Sequence, residues 1–141
     1  MREFIRLNSQ IGQKGFDNLQ TLYLRSVKDK YNMDNQYIVV FITVPTKEVG
    51  EKIANTLLDK KLAACVNLIS PIHSLYIWEG STNADEEVLL VVKTRTELFT
   101  DQLVPAVKAV HPYEVPEIIA LPIVMGSSEY LEWIESVTGS Q

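Results

Sequence analysis

The amino-acid sequence predicts an α+β fold with elements in the order β-α-β-β-α-β and one more helix at the C-terminal end. Two observations support this prediction. Runs rich in β-branched residues begin near residues 37, 62 and 86, and stretches with apolar residues at spacings of three and four alternate with strand-like segments. A hydrophobic content of 46% over 141 residues is also enough for one buried core.

Charge divides the chain into two parts. Residues 1–36 contain six basic and four acidic side chains, a net of +2, whereas residues 37–141 contain seven basic and fourteen acidic ones, a net of −7. We therefore predict an N-terminal extension over residues 1–36 and a single domain over residues 37–141. An acidic domain without clustered lysine and arginine argues against nucleic acid as a partner. No apolar run reaches the roughly 18–20 residues of a bilayer span, so no membrane partner is expected.

The N-terminal extension has a helical pattern of its own. Apolar residues recur at spacings of three and four at Phe16, Leu19, Tyr23, Val27 and Tyr31. This spacing predicts a helix over about residues 16–31. Basic residues in the extension favour organelle targeting, but four acidic residues argue against it. Because Cys65 is the only cysteine, no intrachain disulfide can form. We expect a cytoplasmic protein, with organelle targeting by residues 1–36 as the alternative.

The first strand and the first helix of the domain have clear limits. Residues 37–44 form an unbroken apolar run, which is typical of a strand buried on both faces at the centre of a sheet. Pro45 ends this strand, and Thr46 can cap the following helix. The apolar face of that helix is expected to contain Val49, Ile53, Ala54, Leu57 and Leu58.

The longest strand region covers residues 62–78. Ser70-Pro71 interrupts it and predicts a bulge or a free edge, because proline cannot donate to a strand ladder. Beyond this proline, apolar residues occur on both faces of residues 72–78, so one face is left for a partner. Turn-forming residues at positions 80–85 predict the end of a long hairpin, and a second central strand is expected over residues 86–94.

The remaining elements complete a four-stranded sheet. A second helix is expected over about residues 96–110, with a kink at Pro105 or a start delayed to Val104. The last strand is predicted over residues 118–124 with Pro122 as a sign of an edge, and a short helix follows from residue 127. Right-handed crossovers would place both long helices on one side of an antiparallel sheet, which is the ferredoxin-like arrangement.

The segment between the second helix and the last strand has an unusual composition, with the sequence His111-Pro112-Tyr113-Glu114-Val115-Pro116-Glu117-Ile118. Each proline forces the residue before it out of the helical region, so the segment must be stiff and extended. It combines one of only two histidines in the chain with a tyrosine and two carboxylates. The segment is a candidate functional surface, and a stiff connector with no binding or catalytic role is the alternative.

Five ordered motifs over residues 37–137 resemble the CutA divalent-cation tolerance family. These are Leu62-Ala63-Ala64-Cys65-Val66-Asn67, Ser74-x-Tyr76-x-Trp78-Glu79-Gly80, Lys93-Thr94, the segment from His111 to Ile118, and Pro122-Ile123 with Gly126 before Tyr130-x-x-Trp133. The resemblance implies a ferredoxin-like subunit in a homotrimer, with the long hairpin reaching onto a neighbour. It also implies tolerance of copper or other divalent metals, without an established catalytic reaction.

Cys65, His111 and Glu114 are the candidate metal ligands. Thiolate with imidazole favours copper or zinc, and folding is not expected to require the metal. No two of these residues have the close sequence spacing of a metal-binding motif. The alternatives are that Cys65 is a buried core residue of its strand and that His111 interacts with the last carbonyls of the preceding helix. Some members of the family have further Cys or His ligands where this chain has Ile42 and Val110, which argues for weak binding.

A second hypothesis is an intersubunit cleft that binds a small molecule, as in PII-type signalling trimers. Its expected lining residues, besides His111, are Glu87, Lys93, Tyr113 and Glu117. In this interpretation Lys93 ends a buried strand, so its ammonium group needs water or a carboxylate such as Glu87 or Glu117.

Three aromatic residues, Tyr76, Trp78 and Trp133, are expected to be packing and interface anchors, because aromatic side chains dominate interfaces. The sequence contains no nucleophile elbow, phosphate-binding loop, dinucleotide-binding glycine motif or zinc-protease motif. We therefore do not expect an enzyme.

Overall fold

A computed structural model describes residues 36–139 and four further positions, residues 15, 18, 19 and 22. Those four positions are helical, and the rest of the helix predicted over residues 16–31 lies outside the described residues. The elements of the domain are β1 (Tyr37–Val44), α1 (Lys47–Asp59), β2 (Cys65–Trp78), β3 (Ser81–Arg95), α2 (Val104–Lys108), β4 (Ile118–Pro122) and α3 (Ser128–Val137).

The four strands of the domain form one sheet in the order β2-β3-β1-β4, and every neighbouring pair is antiparallel. β1 is central and pairs with β3 along its full length, from Tyr37 opposite Arg95 to Val44 opposite Val88. β2 and β4 are the two edges of the sheet. The predicted α+β class and four-stranded antiparallel sheet are therefore confirmed.

Burial alternates along β1, so the prediction of a strand buried on both faces is wrong for this chain. Its buried residues are Ile38, Val40, Ile42 and Val44, and the residues between them are only half-buried. The buried set packs with Leu57 of α1 and Val107 of α2 in one hydrophobic cluster. A helical layer therefore covers one face of the sheet, because alternate side chains of a strand lie on opposite faces.

α1 begins as the sequence predicts. The Thr46 hydroxyl accepts a hydrogen bond from the Val49 amide at 3.3 Å, and Glu48 lies in the first turn. The hydroxyl satisfies one of the free amides at the helix start, and the carboxylate is favourable at its positive end.

The β2–β3 hairpin is longer and tighter than predicted. The predicted bulge is confirmed, because the strand register shifts between Ile69 and Ile72, on either side of Pro71. The turn predicted over residues 80–85 is wrong, since β3 already begins at Ser81. The reversal uses Glu79 and Gly80 at φ values of 49° and 77°. Positive φ at both central residues is the requirement of a type I′ turn, which joins antiparallel strands with only two residues.

The second helical region is irregular, and the expectation of a helix delayed to Val104 is confirmed. A 3₁₀ turn over Thr96–Leu98 and a π turn over Phe99–Leu103 precede the five-residue α2. Pro105 thus lies in the first turn of α2, where a missing amide hydrogen leaves no bond unmade. Within the described residues no helix is long and apolar enough to cross a membrane.

Candidate binding cleft

A cavity of about 750 Å³ lies between the outer part of the β2–β3 hairpin and the segment that precedes β4, and we call it the hairpin cleft. The hairpin contributes His73, Ser74, Leu75, Tyr76, Trp78 and Glu87 to its lining. The preceding segment contributes Pro112, Tyr113, Glu114, Val115 and Glu117, and Thr43 of β1 completes the lining. None of these residues is lysine or arginine, so the three glutamates give the cleft a negative charge.

His111 attaches the segment after α2 to the end of β1. Its side chain is buried, with 8% exposure, and its Nε2 lies 2.8 Å from the carbonyl oxygen of Thr43. Its Nδ1 lies 3.1 Å from the backbone amide of Tyr113. Because an amide can only donate, Nδ1 is the acceptor, and Nε2 has the proton and donates to Thr43. Both ring nitrogens of His111 are therefore used within the chain.

Tyr113 and Glu87 form the inner wall of the cleft. The Tyr113 hydroxyl donates to Oε1 of Glu87 at 3.0 Å, and its ring lies 5.0 Å from the ring of His111. Burial, followed by the bond to Glu87, raises the pKa of Tyr113 to about 12. The phenol therefore stays protonated near neutral pH and remains a donor to the carboxylate.

The hairpin wall of the cleft contains a second tyrosine–carboxylate pair. The Tyr76 hydroxyl donates to Oδ2 of Asp85 at 2.5 Å, and this bond is the main cause that raises the pKa of Tyr76. Tyr76 and Trp78 are each about half exposed. Both rings line the cleft, and the bond to Asp85 holds Tyr76 in place on the hairpin.

The predicted metal ligands do not come together in one chain. Cys65 lies opposite Lys93, which lies opposite Val39, whereas His111 contacts Thr43, four residues further along β1. Four residues of strand separate the two sites by about 13 Å along the strand direction. Of the three candidates only Glu114 lines the cleft.

The described residues contain no group of three or more His, Cys, Asp or Glu side chains that could hold a metal ion. His111 has no free ring nitrogen, and the Cys65 thiol lies beside Tyr130, whose pKa is raised first by burial and then by the thiol. The donor set predicted from the sequence therefore does not fit a metal site within these residues.

The predicted cleft residues come together in part. Glu87, Tyr113 and Glu117 line the same cavity, but Lys93 does not. Lys93 lies six residues along β3 from Glu87, a separation of about 20 Å. Its ammonium group donates to the side chain of Asn67 and, at 3.2 Å, to the carbonyl oxygen of Val91. Lys93 therefore pairs with an amide and a carbonyl and not with either predicted carboxylate.

The predicted aromatic anchors separate into two groups. Tyr76 and Trp78 line the cleft, whereas Trp133 packs against Tyr130 on α3, with ring centroids 5.3 Å apart. Asp85 is not among the site residues predicted from the sequence, because residues 80–85 are expected there to form a turn. Recognition of Glu79-Gly80 as a two-residue turn would have placed Asp85 on β3, two residues from the position opposite Tyr76.

These features define a small α+β protein with a four-stranded antiparallel sheet and an acidic cleft under a long hairpin. The family model of the CutA1 divalent ion tolerance protein matches residues 38–137. The chain belongs to this family, and the resemblance found in the sequence is confirmed. The comparisons do not support the PII-type hypothesis.

Relatives from bacteria and plants match the domain. The "Divalent-cation tolerance protein CutA" of Thermus thermophilus is 52% identical over 101 residues, which are 72% of this chain and 97% of the relative. The "Protein CutA, chloroplastic" of Arabidopsis thaliana is 52% identical over 101 residues, again 72% of this chain but 55% of the relative. The matched part of the chain therefore spans about half the length of such plant relatives.

Solved structures agree with the fold. The CutA1 structure from Oryza sativa superposes with a TM-score of 0.72 at 49% identity and covers 75% of this chain and 96% of that one. The structure of the divalent cation tolerance protein from Thermus thermophilus gives a TM-score of 0.71 at 50% identity, with 73% and 99% of the two chains covered.

Proposed function

We propose that this protein is a non-enzymatic homotrimer of ferredoxin-like subunits that acts in divalent-cation tolerance and binds copper or other divalent ions weakly. The observation that supports a cation-binding role is the lining of the hairpin cleft, which combines three glutamates with no lysine or arginine. Membership of the CutA1 family supports the connection with divalent cations.

The outer half of the hairpin supports assembly into a trimer. Leu75 is 75% exposed and Ile77 76% exposed, while Tyr76 and Trp78 on the opposite face are about half exposed. Burial of one such aliphatic side chain contributes roughly 1.5–3 kcal/mol. β2 is also an edge strand with unpaired backbone groups, which favours a neighbouring chain as its cover. Each subunit would then cover part of the next.

Weak metal binding follows from the distribution of the ligands. Glu114 and Glu117 are exposed, and separate carboxylates at a surface attract cations without enclosing them. Because the described residues offer no group of three ligands, the metal would bind as cargo and would not be a structural part of the fold. We accordingly expect removal of metal with a chelator to leave the midpoint of thermal unfolding unchanged.

Two measurements test this proposal. Native mass spectrometry after dilution should give three times the 16.0 kDa mass of one chain, and a stable monomer would contradict the assembly. Calorimetric titration with Cu(II) and Zn(II) should give weaker binding for a Glu114→Gln, Glu117→Gln variant. Glu129→Gln on α3 is the matched control, and Cys65→Ser and His111→Ala test the other two predicted ligands. Unchanged affinity in the double variant would refute the role of the cleft.

The absence of catalytic motifs from the sequence supports a role without catalysis, and the lone Cys65 supports a cytoplasmic location. Two plant relatives are named as chloroplastic, which makes organelle targeting by residues 1–36 the competing proposal. Cell fractionation of the full chain and of a variant that starts at residue 36 distinguishes the two locations.

A further inference from the structure

Glu87 is a nearly buried acidic residue in a cleft whose lining contains no lysine or arginine. It is only 7% exposed, and its Oε1 accepts the hydrogen bond from Tyr113. No hydrogen bond or ion pair to its Oε2 occurs among the described residues. Every fully buried side-chain oxygen or nitrogen in these residues has a hydrogen-bond partner. Because Oε2 has none, it is not fully buried and must be open to the cleft. A nearly buried carboxylate with one free oxygen favours a ligand that supplies positive charge and a donor.

The spacing of the carboxylates argues against a single inorganic ion. Glu87 comes from β3, whereas Glu114 and Glu117 come from the segment before β4, on the other side of the cavity. A bound metal ion needs several ligand atoms within about 2.0–2.6 Å. No such group occurs in the described part of the chain, and a volume of about 750 Å³ far exceeds one ion. The negative charges therefore suit a ligand with separated positive charges.

The aromatic residues that line the cleft indicate what lies between the separated positive charges of the ligand. Tyr76, Trp78 and Tyr113 line the cleft beside the carboxylates. Aromatic faces attract alkylammonium groups and pack against methylene chains, whereas a strongly hydrated inorganic ion gains little from them. An aliphatic chain with an ammonium group at each end matches both features.

We propose that the hairpin cleft binds an elongated organic dication of the diamine type. One ammonium group donates to Oε2 of Glu87, the methylene chain lies against Tyr76 and Trp78, and the second ammonium group lies near Glu114 and Glu117. This ligand goes beyond the role in divalent-cation tolerance, because it is not a metal ion.

Calorimetric titration of the full chain with cadaverine, a five-carbon diamine, tests the proposal at low ionic strength. We expect Glu87→Gln to weaken binding about tenfold or more, because it removes a charge-assisted hydrogen bond. The amide oxygen of the variant can still accept the Tyr113 hydroxyl, which preserves the wall. Glu135→Gln is the matched control, since Glu135 accepts a hydrogen bond from the Tyr37 hydroxyl at 3.1 Å on another part of the domain.

A second pair of variants tests the aromatic wall. Trp78→Leu should weaken cadaverine binding about fivefold through loss of the aromatic face that packs against the methylene chain, whereas Trp133→Leu on α3 should leave it unchanged. Pentylamine, with a single charge, should bind more weakly than cadaverine.

Equal affinity of wild type and Glu87→Gln for cadaverine would overturn the proposal. It would also be overturned if pentylamine bound as tightly as cadaverine, or if Mg²⁺ at the same charge concentration displaced cadaverine completely. Zinc titrations and native mass are measured on the same samples, so failure of the metal or trimer proposal is seen independently of the diamine result.

Discussion

His111 is a structural residue of the cleft. Its ring bridges the carbonyl of Thr43 at the end of β1 and the amide of Tyr113 in the segment before β4. This bridge fixes Tyr113 so that its hydroxyl reaches Glu87. The histidine therefore positions the inner wall of the cleft without facing a ligand.

We expect His111→Ala to lower the free energy of unfolding by roughly 2–3 kcal/mol, because it removes two part-buried hydrogen bonds and the packing of a buried ring. His73→Ala is the matched control, since the only other histidine is exposed on the hairpin, and its change should stay within about 0.5 kcal/mol. Denaturant unfolding at a fixed protein concentration measures both. Equal stability of the two variants would contradict the structural role.

Tyr113 should be a late-titrating tyrosine. Its pKa is raised from 10.0 to about 12, first by burial and then by the bond to Glu87. A raised pKa means that the protonated phenol stabilises the fold below pH 10, and that this contribution is lost as the pH rises through about 12. Ultraviolet titration should therefore show a late phenolate step that disappears in Tyr113→Phe.

The same titration separates the two causes of the Tyr113 shift. In Glu87→Gln the step should move only part of the way back, because burial is the larger cause and remains. If all tyrosines of the wild-type protein titrated with one midpoint, Tyr113 would not be buried and bonded to Glu87 as the structure indicates.

Individual residues could be predicted where their role depends on sequence neighbours. Thr46 caps α1 because its hydroxyl reaches the backbone amide three residues later, at Val49. Pro71 causes a bulge because it has no amide hydrogen. Lys93 could not be predicted in this way. Its partner Asn67 is 26 residues away, and only the register of β2 against β3 brings the two together.

At the scale of elements, the β2–β3 hairpin determines where the cleft can form. The two-residue turn at Glu79-Gly80 allows pairing to continue to Trp78 opposite Ser81. A six-residue turn at positions 80–85 would have removed Asp85 from the strand and Tyr76 from its hydrogen bond. The tight turn is therefore what extends the aromatic wall.

We expect Gly80→Ala to destabilise the protein by about 1 kcal/mol, because alanine is strained at positive φ. Gly80 has a φ of 77° and no atom within 4 Å of an added methyl group, so strain is the only cost. Gly80→Asn is the control, since asparagine tolerates this conformation. Thermal unfolding should place Gly80→Asn between wild type and Gly80→Ala, and identical midpoints for all three would contradict the turn.

The length of the second helix could not be predicted from its apolar spacing. The pattern over residues 96–110 suits a regular helix, but the chain forms 3₁₀ and π turns until Val104. Pro105 explains the difference, because it is best placed in a first turn and cannot be accommodated inside a regular helix. Spacing predicts which residues are buried, and the local hydrogen bonds decide the helix type.

One face of the sheet is covered by α1 and α2, and the other face, where Tyr37 bonds to Glu135 of α3, is the more open one among the described residues. The main hydrophobic cluster joins one face of the sheet to α1 and α2, and the order of elements along the chain was sufficient to predict this layer. The sequence could not predict which residues of β1 stay open, since its run from Tyr37 to Val44 is apolar throughout. The burial of the second face of β1 depends on how many helical layers cover the sheet, and this is known only from the folded chain.

The outer hairpin is the most exposed apolar part of the sheet, and it should control assembly. We expect a Leu75→Glu, Ile77→Glu variant to be monomeric in native mass spectrometry and sedimentation, because two charges replace side chains that are about three-quarters exposed in one chain. Their exposure also means that the subunit fold should survive, with an unchanged far-ultraviolet circular dichroism spectrum.

Leu58→Glu is the matched control for that variant. Leu58 is another exposed leucine, but it lies on α1 in the helical layer and not on the hairpin. The same added charge there should leave the trimer intact. If both variants dissociate, general charge repulsion explains the result. If neither dissociates, the hairpin does not hold the subunits together, and the open face of the sheet becomes the contact to test.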